Sequence, residues 1–195
     1  MPKKVDPGER RRLIAQALHR VTAERGLDEV SLRHVAAEAG VSPGQVQHWF
    51  RTKDEMLRFA LDTVTEQVQA RLGQRMGEIE HGTPRQAVRA LLVELLPLDE
   101  ERRLEAHVAV AFGARAAVSP EIARSVNEGM GQMRAFIADR IRDADVPGAG
   151  GSPERAALAL TALVDGLVAH ALAEQCTPEE AEAALDDQLD RLLGP

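Results

Sequence analysis

The chain has 195 residues, of which 44% are hydrophobic and 3% aromatic, so it can bury a sizeable core that must be built largely from alanine and leucine. Its single cysteine, Cys176, excludes an intramolecular disulfide and any zinc site made of several thiolates. The formal net charge of −7 by itself argues against nucleic acid as a partner.

The charge is unevenly distributed along the chain. Residues 1–58 carry 11 Lys and Arg against 8 Asp and Glu, whereas residues 59–195 carry 13 against 23. The basic amino-terminal part indicates contact with nucleic acid, although a solvated surface explains it about as well. The amino terminus is polar and no stretch approaches the apolar length of a transmembrane helix, so we expect no signal peptide, no membrane contact and a cytoplasmic protein.

Six positions combine a helix-capping residue with a following proline. The cap accepts a hydrogen bond from an unpaired backbone N–H, and proline suits the first helical position because its missing N–H has no partner there. The pairs are Asp6-Pro7, Ser42-Pro43, Thr83-Pro84, Ser119-Pro120, Ser152-Pro153 and Thr177-Pro178. Glu or Gln three residues after the cap predicts capping boxes at Ser42/Gln45, Thr52/Glu55, Thr83/Gln86 and Thr177/Glu180.

Apolar residues recur at helical spacing between these starts, and no alternating strand pattern competes with them. The glycines Gly26, Gly40 and Gly82 and the glycine-rich run 147–151 are typical of helix ends. We therefore predict an all-α fold of about nine helices, in which three or four short helices form a small unit and the others form a bundle. The later helices are predicted at 84–96, 100–117, 120–143, 153–175 and 178–193.

Residues 40–50, GVSPGQVQHWF, follow a helix predicted from Ser31 to Ala39. Two short helices joined by a three-residue turn that contains glycine are typical of a helix-turn-helix, whose second helix enters the DNA major groove. On a helical wheel, the predicted buried side carries Val46, Trp49 and Phe50. The opposite side carries Gly44 and His48, flanked by Gln45 and Gln47.

The chemistry of this second helix suits base recognition. Glutamine can form a bidentate pair with adenine, and Gly44 would let the helix approach DNA closely. Ser42 and the free N–H groups of the first turn suit a phosphate oxygen, and Thr52 and Lys53 could hold a second phosphate. Lys3, Lys4 and Arg10–Arg12 could form an arm over the DNA backbone. The alternative is a structural turn with solvated polar residues.

Residues 31–57, SLRHVAAEAGVSPGQVQHWFRTKDEML, resemble the DNA-binding signature of the TetR family of bacterial regulators, and the close match covers roughly residues 10–60. Residues 95–116 are similar to a subgroup grouped with the choline-responsive BetI-type regulators. The resemblance implies a helix-turn-helix DNA-binding domain over residues 1–52 and a ligand-binding and dimerisation domain over 53–195. Helix four, residues 53–78, would connect the two.

The resemblance also implies which residues contact DNA. One departure concerns Gln47, because the family often has tyrosine there; Gln47 could contact a base, a phosphate or neither. Trp49 stands at an aromatic position and is expected to pack. Together with Gly44, the implied DNA-binding residues are Ser31, Arg33, Ser42, Pro43, Gln45, Gln47, His48 and Lys53.

A single short recognition helix reads only a few base pairs, so specific binding calls for two copies on a palindromic operator. The predicted homodimer interface consists of the last two helices, 153–175 and 178–193, which are rich in alanine and apolar residues. Small residues such as Gly166 allow helices to approach closely. The alternative is that these helices pack only within one protomer.

An unknown small-molecule effector is expected to bind in the bundle of residues 84–175. Methionines adapt to irregular ligands, and a buried Asp165 would need a polar partner. Each such residue could equally belong to the core. The candidates are His107, Ala111, Phe112, Arg115, Met130, Met133, Phe136, Ile137 and Asp165.

The resemblance implies a repressor that leaves its operator when the effector favours another conformation. An enzyme or carrier is not favoured, because the sequence has no nucleophile–base arrangement, no metal-ligand spacing among its scattered histidines and no cofactor loop. We therefore expect no catalytic residues, no metal and no cofactor. A ligand-independent architectural factor or activator remains an alternative. We expect Gln45→Ala to abolish operator selectivity with the fold intact, and Lys53→Ala to weaken binding to all sequences.

Overall fold

The computed structural model describes residues 7–26, 29–78, 82–144 and 152–194. Within these ranges the chain forms nine α-helices and no strand, which confirms the predicted all-α fold. The helices predicted at 84–96 and 153–175 end three residues earlier than expected. The helices are α1 (Pro7–Arg25), α2 (Leu32–Glu38), α3 (Pro43–Trp49), α4 (Lys53–Glu78), α5 (Pro84–Val93), α6 (Glu100–Ala116), α7 (Pro120–Asp143), α8 (Pro153–Leu172) and α9 (Pro178–Leu193).

Side-chain caps begin several of these helices as predicted. Ser42, Thr83 and Thr177 each form a complete capping box with the residue three positions later. Each box satisfies two backbone N–H groups that would otherwise lack partners at a helix start. These local bonds fix where α3, α5 and α9 begin.

Three other predicted starts differ from expectation. Thr52 accepts from the Glu55 N–H at 3.1 Å, but the Glu55 carboxylate accepts from the Arg51 N–H at 2.8 Å. The side chains of Ser119 and Ser152 make no capping bond, so those two predicted caps are wrong. The reason is visible at Ser152, whose hydroxyl donates to the Glu154 carboxylate. Asp6 and the glycine-rich run 147–151 lie outside the described residues.

Two hydrophobic clusters form the interior. The N-terminal core joins α1, α2, α3 and the first half of α4, and it also receives Val108 and Phe112 from α6. The C-terminal core joins α5 to α9. Helix α4 reaches both, since Met56 and Leu57 are buried in the first core and Leu72 packs against the second. Helix α4 thus packs into both cores, and its role as a connector stays a prediction.

A cluster of charges fixes the distal half of α4 to α5 and α6. The Arg71 guanidinium lies 2.7 Å from the Glu94 carboxylate and 2.5 Å from that of Glu105. Arg75 contacts the second Glu94 oxygen at 2.7 Å. Burial raises the pKa of Glu105 above its ordinary value, and Arg71 offsets part of that rise. The Glu94 side chain is fully buried and lies against both arginines.

Helix α8 corrects one expectation drawn from the sequence. By length and composition it could cross a membrane, because an 18-residue window of this 20-residue helix has a mean hydropathy of 1.4. Core helices of soluble proteins pass the same test, and Leu160, Val164 and Val168 pack into the C-terminal core. Only 33% of the window is buried, however. Helix α8 therefore has an apolar face that the described protomer leaves uncovered.

Candidate nucleic-acid interface

The connection between α2 and α3 is a tight turn closed by backbone hydrogen bonds. Gly40 has φ of 64°, a left-handed conformation that favours glycine. Its N–H donates to the Ala37 carbonyl at 3.2 Å, and the Val41 N–H donates to the Ala36 carbonyl at 2.9 Å. These bonds end α2 and set the angle at which α3 begins.

Helix α3 has the two faces predicted from its sequence. Val46 and Phe50 are fully buried in the N-terminal core, and Trp49 is half-buried against it. The opposite face is exposed and carries no aspartate, glutamate, lysine or arginine. It consists of Pro43, Gly44, Gln45, Gln47 and His48, preceded by exposed Ser42.

Arg11 of α1 lies on the aromatic cluster behind α3. Its guanidinium carbon is 4.7 Å from the ring centroid of Phe59, 5.7 Å from that of Phe50 and 6.0 Å from that of Trp49. Such cation–π contacts hold a charge against the end of the recognition helix. Arg11 belongs to the possible DNA-contacting arm of the sequence analysis, and its side chain packs on these rings. Lys3 and Lys4 of that arm lie outside the described residues.

Ser42 and Gln45 are bonded to each other at the start of α3. The Gln45 N–H donates to the Ser42 hydroxyl at 3.2 Å, and the Ser42 N–H donates to Gln45 Oε1 at 3.0 Å. Both side chains therefore stabilise α3 as well as facing outward. Gln45→Ala would remove this cap. The variant would therefore change the start of the helix as well as its exposed face.

The other predicted DNA-binding residues lie at the starts of α2 and α4. The Ser31 hydroxyl accepts from the His34 N–H at 3.2 Å, which leaves its own O–H available to an acceptor. Arg33 is exposed on the first turn of α2, and Lys53 is the first, half-buried residue of α4. The candidate interface thus draws on the starts of three consecutive helices.

The structure distributes the predicted effector-binding residues over three helices and both cores. His107 and Arg115 lie on α6, Met130 on α7 and exposed Asp165 on α8. Burial lowers the pKa of His107 and partial desolvation raises that of Asp165. The other members take part in core packing. Phe112 lies in the N-terminal core and Ala111 packs against it. Ile137 lies in the C-terminal core, and Met133 and Phe136 pack against it.

One solvent-open groove of about 440 Å³ lies between α7 and α8. Arg134, Arg142 and Glu154 line it together with Leu158. Arg142 pairs with Glu154 across the groove at 2.6 Å. None of the predicted effector-binding residues lines this groove, so it gives no support to that set.

The exposed side of α8 is made mainly of small apolar residues. Leu158 is 51% exposed, and the others follow at helical spacing, which places them along one side of the helix. The exposed positions are Leu158, Ala159, Ala162, Asp165, Gly166, Ala169 and His170. We refer to these seven residues as the α8 face.

Two family profiles match the chain. Residues 14–59 match the family described as bacterial regulatory proteins of the tetR family. Residues 84–194 match the C-terminal domain described as a BetI-type transcriptional repressor. The two matched segments contain residues 31–57 and 95–116, the stretches that carry the resemblance, so the family identification is confirmed.

Individual relatives agree with this assignment. The chain is 36% identical to the HTH-type transcriptional regulator PksA of Bacillus subtilis, over 88% of this chain and 83% of the relative. A transcriptional regulator from Rhodococcus superposes with a TM-score of 0.83 at 40% identity, covering 94% of this chain and 95% of its own. A regulator from Saccharomonospora viridis, solved in complex with choline, superposes with a TM-score of 0.79 at 25% identity. The match covers 94% of this chain and 96% of that regulator. These relatives are transcriptional regulators rather than enzymes.

Proposed function

We propose that this chain, which belongs to the TetR family of bacterial transcriptional regulators, is a cytoplasmic repressor that binds a palindromic operator as a homodimer and is released by a small molecule. The observation that carries this proposal is α3. It is a short helix with a buried apolar side, an uncharged exposed side and a start fixed by a capping box. A solvated structural turn needs no such face, whereas reading base edges requires exposed hydrogen-bonding groups.

Gly44 supports close approach of α3 to DNA. A Cβ built on Gly44 would meet nothing nearer than the Ser42 hydroxyl, at 4.0 Å. The fold therefore does not need glycine at this helical position, where glycine is less favourable than alanine. The proposed contact set is Ser31, Arg33, Ser42, Pro43, Gly44, Gln45, Gln47, His48 and Lys53.

We assign the dimer interface to the α8 face together with α9. An apolar surface rimmed by polar residues is typical of a protein–protein contact, and a second copy of the same face would cover it. Alanines and Gly166 allow the backbones of two helices to approach closely. Two protomers joined in this way would present two α3 helices to successive half-sites of a palindrome.

Helix α4 is the proposed path from effector to DNA. Its first half is buried in the N-terminal core beside α3, and its second half is bound by the Arg71–Glu94–Glu105 charges to α5 and α6. An effector that binds better to one arrangement of the bundle would move α4 and change the spacing of the two α3 helices. We place the effector among the candidate residues of α6, α7 and α8 that the two cores leave partly uncovered.

The composition of the bundle argues that the effector is not a choline-like cation. Quaternary ammonium groups are usually bound in cages of aromatic side chains. Residues 84–195 contain only two aromatic residues, Phe112 and Phe136. Phe112 is buried in the N-terminal core, and the Arg140 guanidinium already lies 5.6 Å from the ring centroid of Phe136. Choline should therefore leave the protein–operator complex intact.

Selection of bound duplexes from a random pool at about 150 mM salt tests the DNA-binding proposal, because this ionic strength suppresses non-specific phosphate binding. An enriched inverted repeat is expected. Bulk, salt-sensitive binding without an enriched sequence would contradict a sequence-specific repressor.

Displacement from the recovered operator tests the effector proposal. Fractionated small-molecule extract should release the protein in at least one fraction, and a reporter placed behind the operator should be silenced by the protein. Release by no fraction would favour a ligand-independent DNA-binding factor. Increased reporter expression would identify an activator.

A further inference from the structure

The two glutamines on the exposed side of α3 are in different bonding states. Gln45 Oε1 accepts from the Ser42 N–H at 3.0 Å and lies 3.4 Å from the Ser42 hydroxyl. The Gln47 side chain is exposed and makes no hydrogen bond within the part of the chain that the structure describes. The two residues lie on opposite flanks of the exposed side, so they do not face the same base edge.

A glutamine reads adenine with both ends of its amide. The oxygen accepts from the adenine N6 amino group while the nitrogen donates to N7. The Gln45 oxygen already accepts from the Ser42 N–H and, at 3.4 Å, from the Ser42 hydroxyl, so both of its lone pairs are used and the Nε2 donors remain for DNA. Releasing the oxygen would leave the Ser42 N–H unsatisfied at the start of a helix of only seven residues.

Gln47 has both amide atoms available. Its backbone lies in the middle of α3, where the N–H and carbonyl groups follow the helical pattern and need no help from its side chain. Turning the Gln47 amide toward a base therefore breaks no bond within the described protomer.

We propose that Gln47 is the adenine-reading residue of this protein and that Gln45 is a positioning residue, which caps α3 and offers DNA only hydrogen-bond donors. This inference rests on the proposed function, since it concerns how the same helix reads its operator. It assigns Gln47 a base contact, and it gives Gln45 a role different from that of a bidentate reader.

Four variants of the full chain separate the two roles: Gln45→Ala, Gln45→Glu, Gln47→Ala and Gln47→Glu. Glutamate at position 45 keeps the oxygen that caps Ser42 and removes the donors. Glutamate at position 47 adds the same charge to the same helix and is the matched control for repulsion by phosphates. Each variant is characterised by its melting temperature and by the base preferences recovered from a random duplex pool.

The expected melting temperatures distinguish a cap from a surface residue. Gln45→Ala should melt about 2–4 °C below the wild type, because it loses one helix cap. Gln45→Glu should recover this loss. Both Gln47 variants should melt with the wild type.

The expected base preferences distinguish the reader. Gln47→Ala should lose an adenine preference at one position of each half-site by roughly tenfold or more. Gln47→Glu should shift that position toward cytosine, whose N4 amino group donates. Gln45→Ala should bind all duplexes more weakly while it retains the adenine.

Loss of the adenine preference in Gln45→Ala but not in Gln47→Ala would overturn the inference, because it would mean that Gln45 leaves its cap on DNA. An unchanged melting temperature of Gln45→Ala would overturn the capping role. If the wild type itself enriches no sequence, the proposed function fails, and that result is distinguishable from either outcome.

Discussion

Helices α3 and α8 both present a side that the described protomer leaves uncovered, but the chemistry of the two sides is different. Helix α3 has seven residues and exposes amide, imidazole and hydroxyl groups. Helix α8 has twenty residues, and its exposed side carries three alanines, Leu158 and Gly166 together with Asp165 and His170. Hydrogen-bonding groups suit base edges, whereas a small-residue apolar surface suits a matching surface on a second copy. Exposure alone thus says little, and the residue types on the exposed side indicate the partner.

The two helices also differ in what holds them in place. Helix α8 buries residues along its whole length in the C-terminal core. Helix α3 buries Val46 within the helix and is otherwise held by its capping box, by Phe50 and by the aromatic cluster under Arg11. A helix with so few contacts depends on each of them.

Removal of Glu94 should have the largest effect on stability. Glu94→Ala leaves Arg71 and Arg75 beside a cavity that held a fully buried carboxylate. Both arginines are partly exposed and can reach water, so we expect a loss near the lower limit for a broken buried ion pair, about 3 kcal/mol. Urea unfolding measures the loss. Glu101→Ala, which removes an exposed carboxylate 4.0 Å from Arg71, is the control and should change the free energy of unfolding little.

A charge on the α8 face should separate the protomers. Ala162→Arg places a guanidinium in the proposed interface, where burying an unpaired charge is costly. We expect a monomer in sedimentation velocity and an operator affinity lower by about 100-fold or more, because two linked half-site contacts are lost. The controls are Ala162→Ser, and Ala70→Arg at an exposed position of α4. A dimeric Ala162→Arg variant would show that the α8 face is not the dimer interface.

Alanine at position 44 should act on DNA binding and not on the fold. Gly44→Ala removes the conformational freedom of glycine from a helix and adds a methyl group that meets open space. The protein should become more stable by about 0.5–1 kcal/mol and should bind its operator about tenfold more weakly, because the methyl group faces DNA. Gly73→Ala on α4, where a Cβ also meets nothing within 4 Å, should give the stability gain alone. Equal operator affinity of Gly44→Ala and the wild type would contradict a close approach of α3 to DNA at this position.

The smallest expected effect is a pH dependence that arises at the α3 end of the molecule. His19 is buried, and its Nε2 lies 3.2 Å from the Ala60 carbonyl. This contact links α1 to α4. Burial lowers its pKa below the ordinary value of 6.5, so the folded state binds fewer protons than the unfolded state. Its contribution to stability is therefore complete above pH 6.5 and is lost as the pH falls through the lower, folded-state pKa. His19→Gln should reduce the change in the free energy of unfolding over this pH range. An unchanged pH dependence would show that His19 is not its source.

The features that the sequence predicted correctly are local ones. The buried side of α3 follows from a period of 3.6 residues, and the Ser42–Gln45 box follows from a spacing of three. The exceptions at Ser119 and Ser152 show that a capping residue before proline does not guarantee the side-chain bond. At Ser152 a nearby carboxylate takes the hydroxyl instead.

The features that the sequence did not predict join residues far apart in the chain. Arg11 reaches the rings of α3 and α4, and Arg71 reaches Glu94 and Glu105, which lie 23 and 34 positions away. No spacing rule identifies such partners before the helices are packed. The same reason limits the effector site: Phe112 looked like a pocket residue of the bundle, yet it packs in the N-terminal core. The residues that line the pocket and the interface stay predictions.

In the proposed repressor, two copies of α3 that are coupled through α8 read one operator. The most direct test compares the affinity of the wild-type protein, and the mass of its complex, on the selected inverted repeat and on a duplex in which one half-site is scrambled. We expect two protomers on the intact repeat and an affinity at least about 100-fold lower on the scrambled duplex, because each mismatched base pair costs about 1–3 kcal/mol. Equal affinity for both duplexes, with one protomer bound, would contradict it.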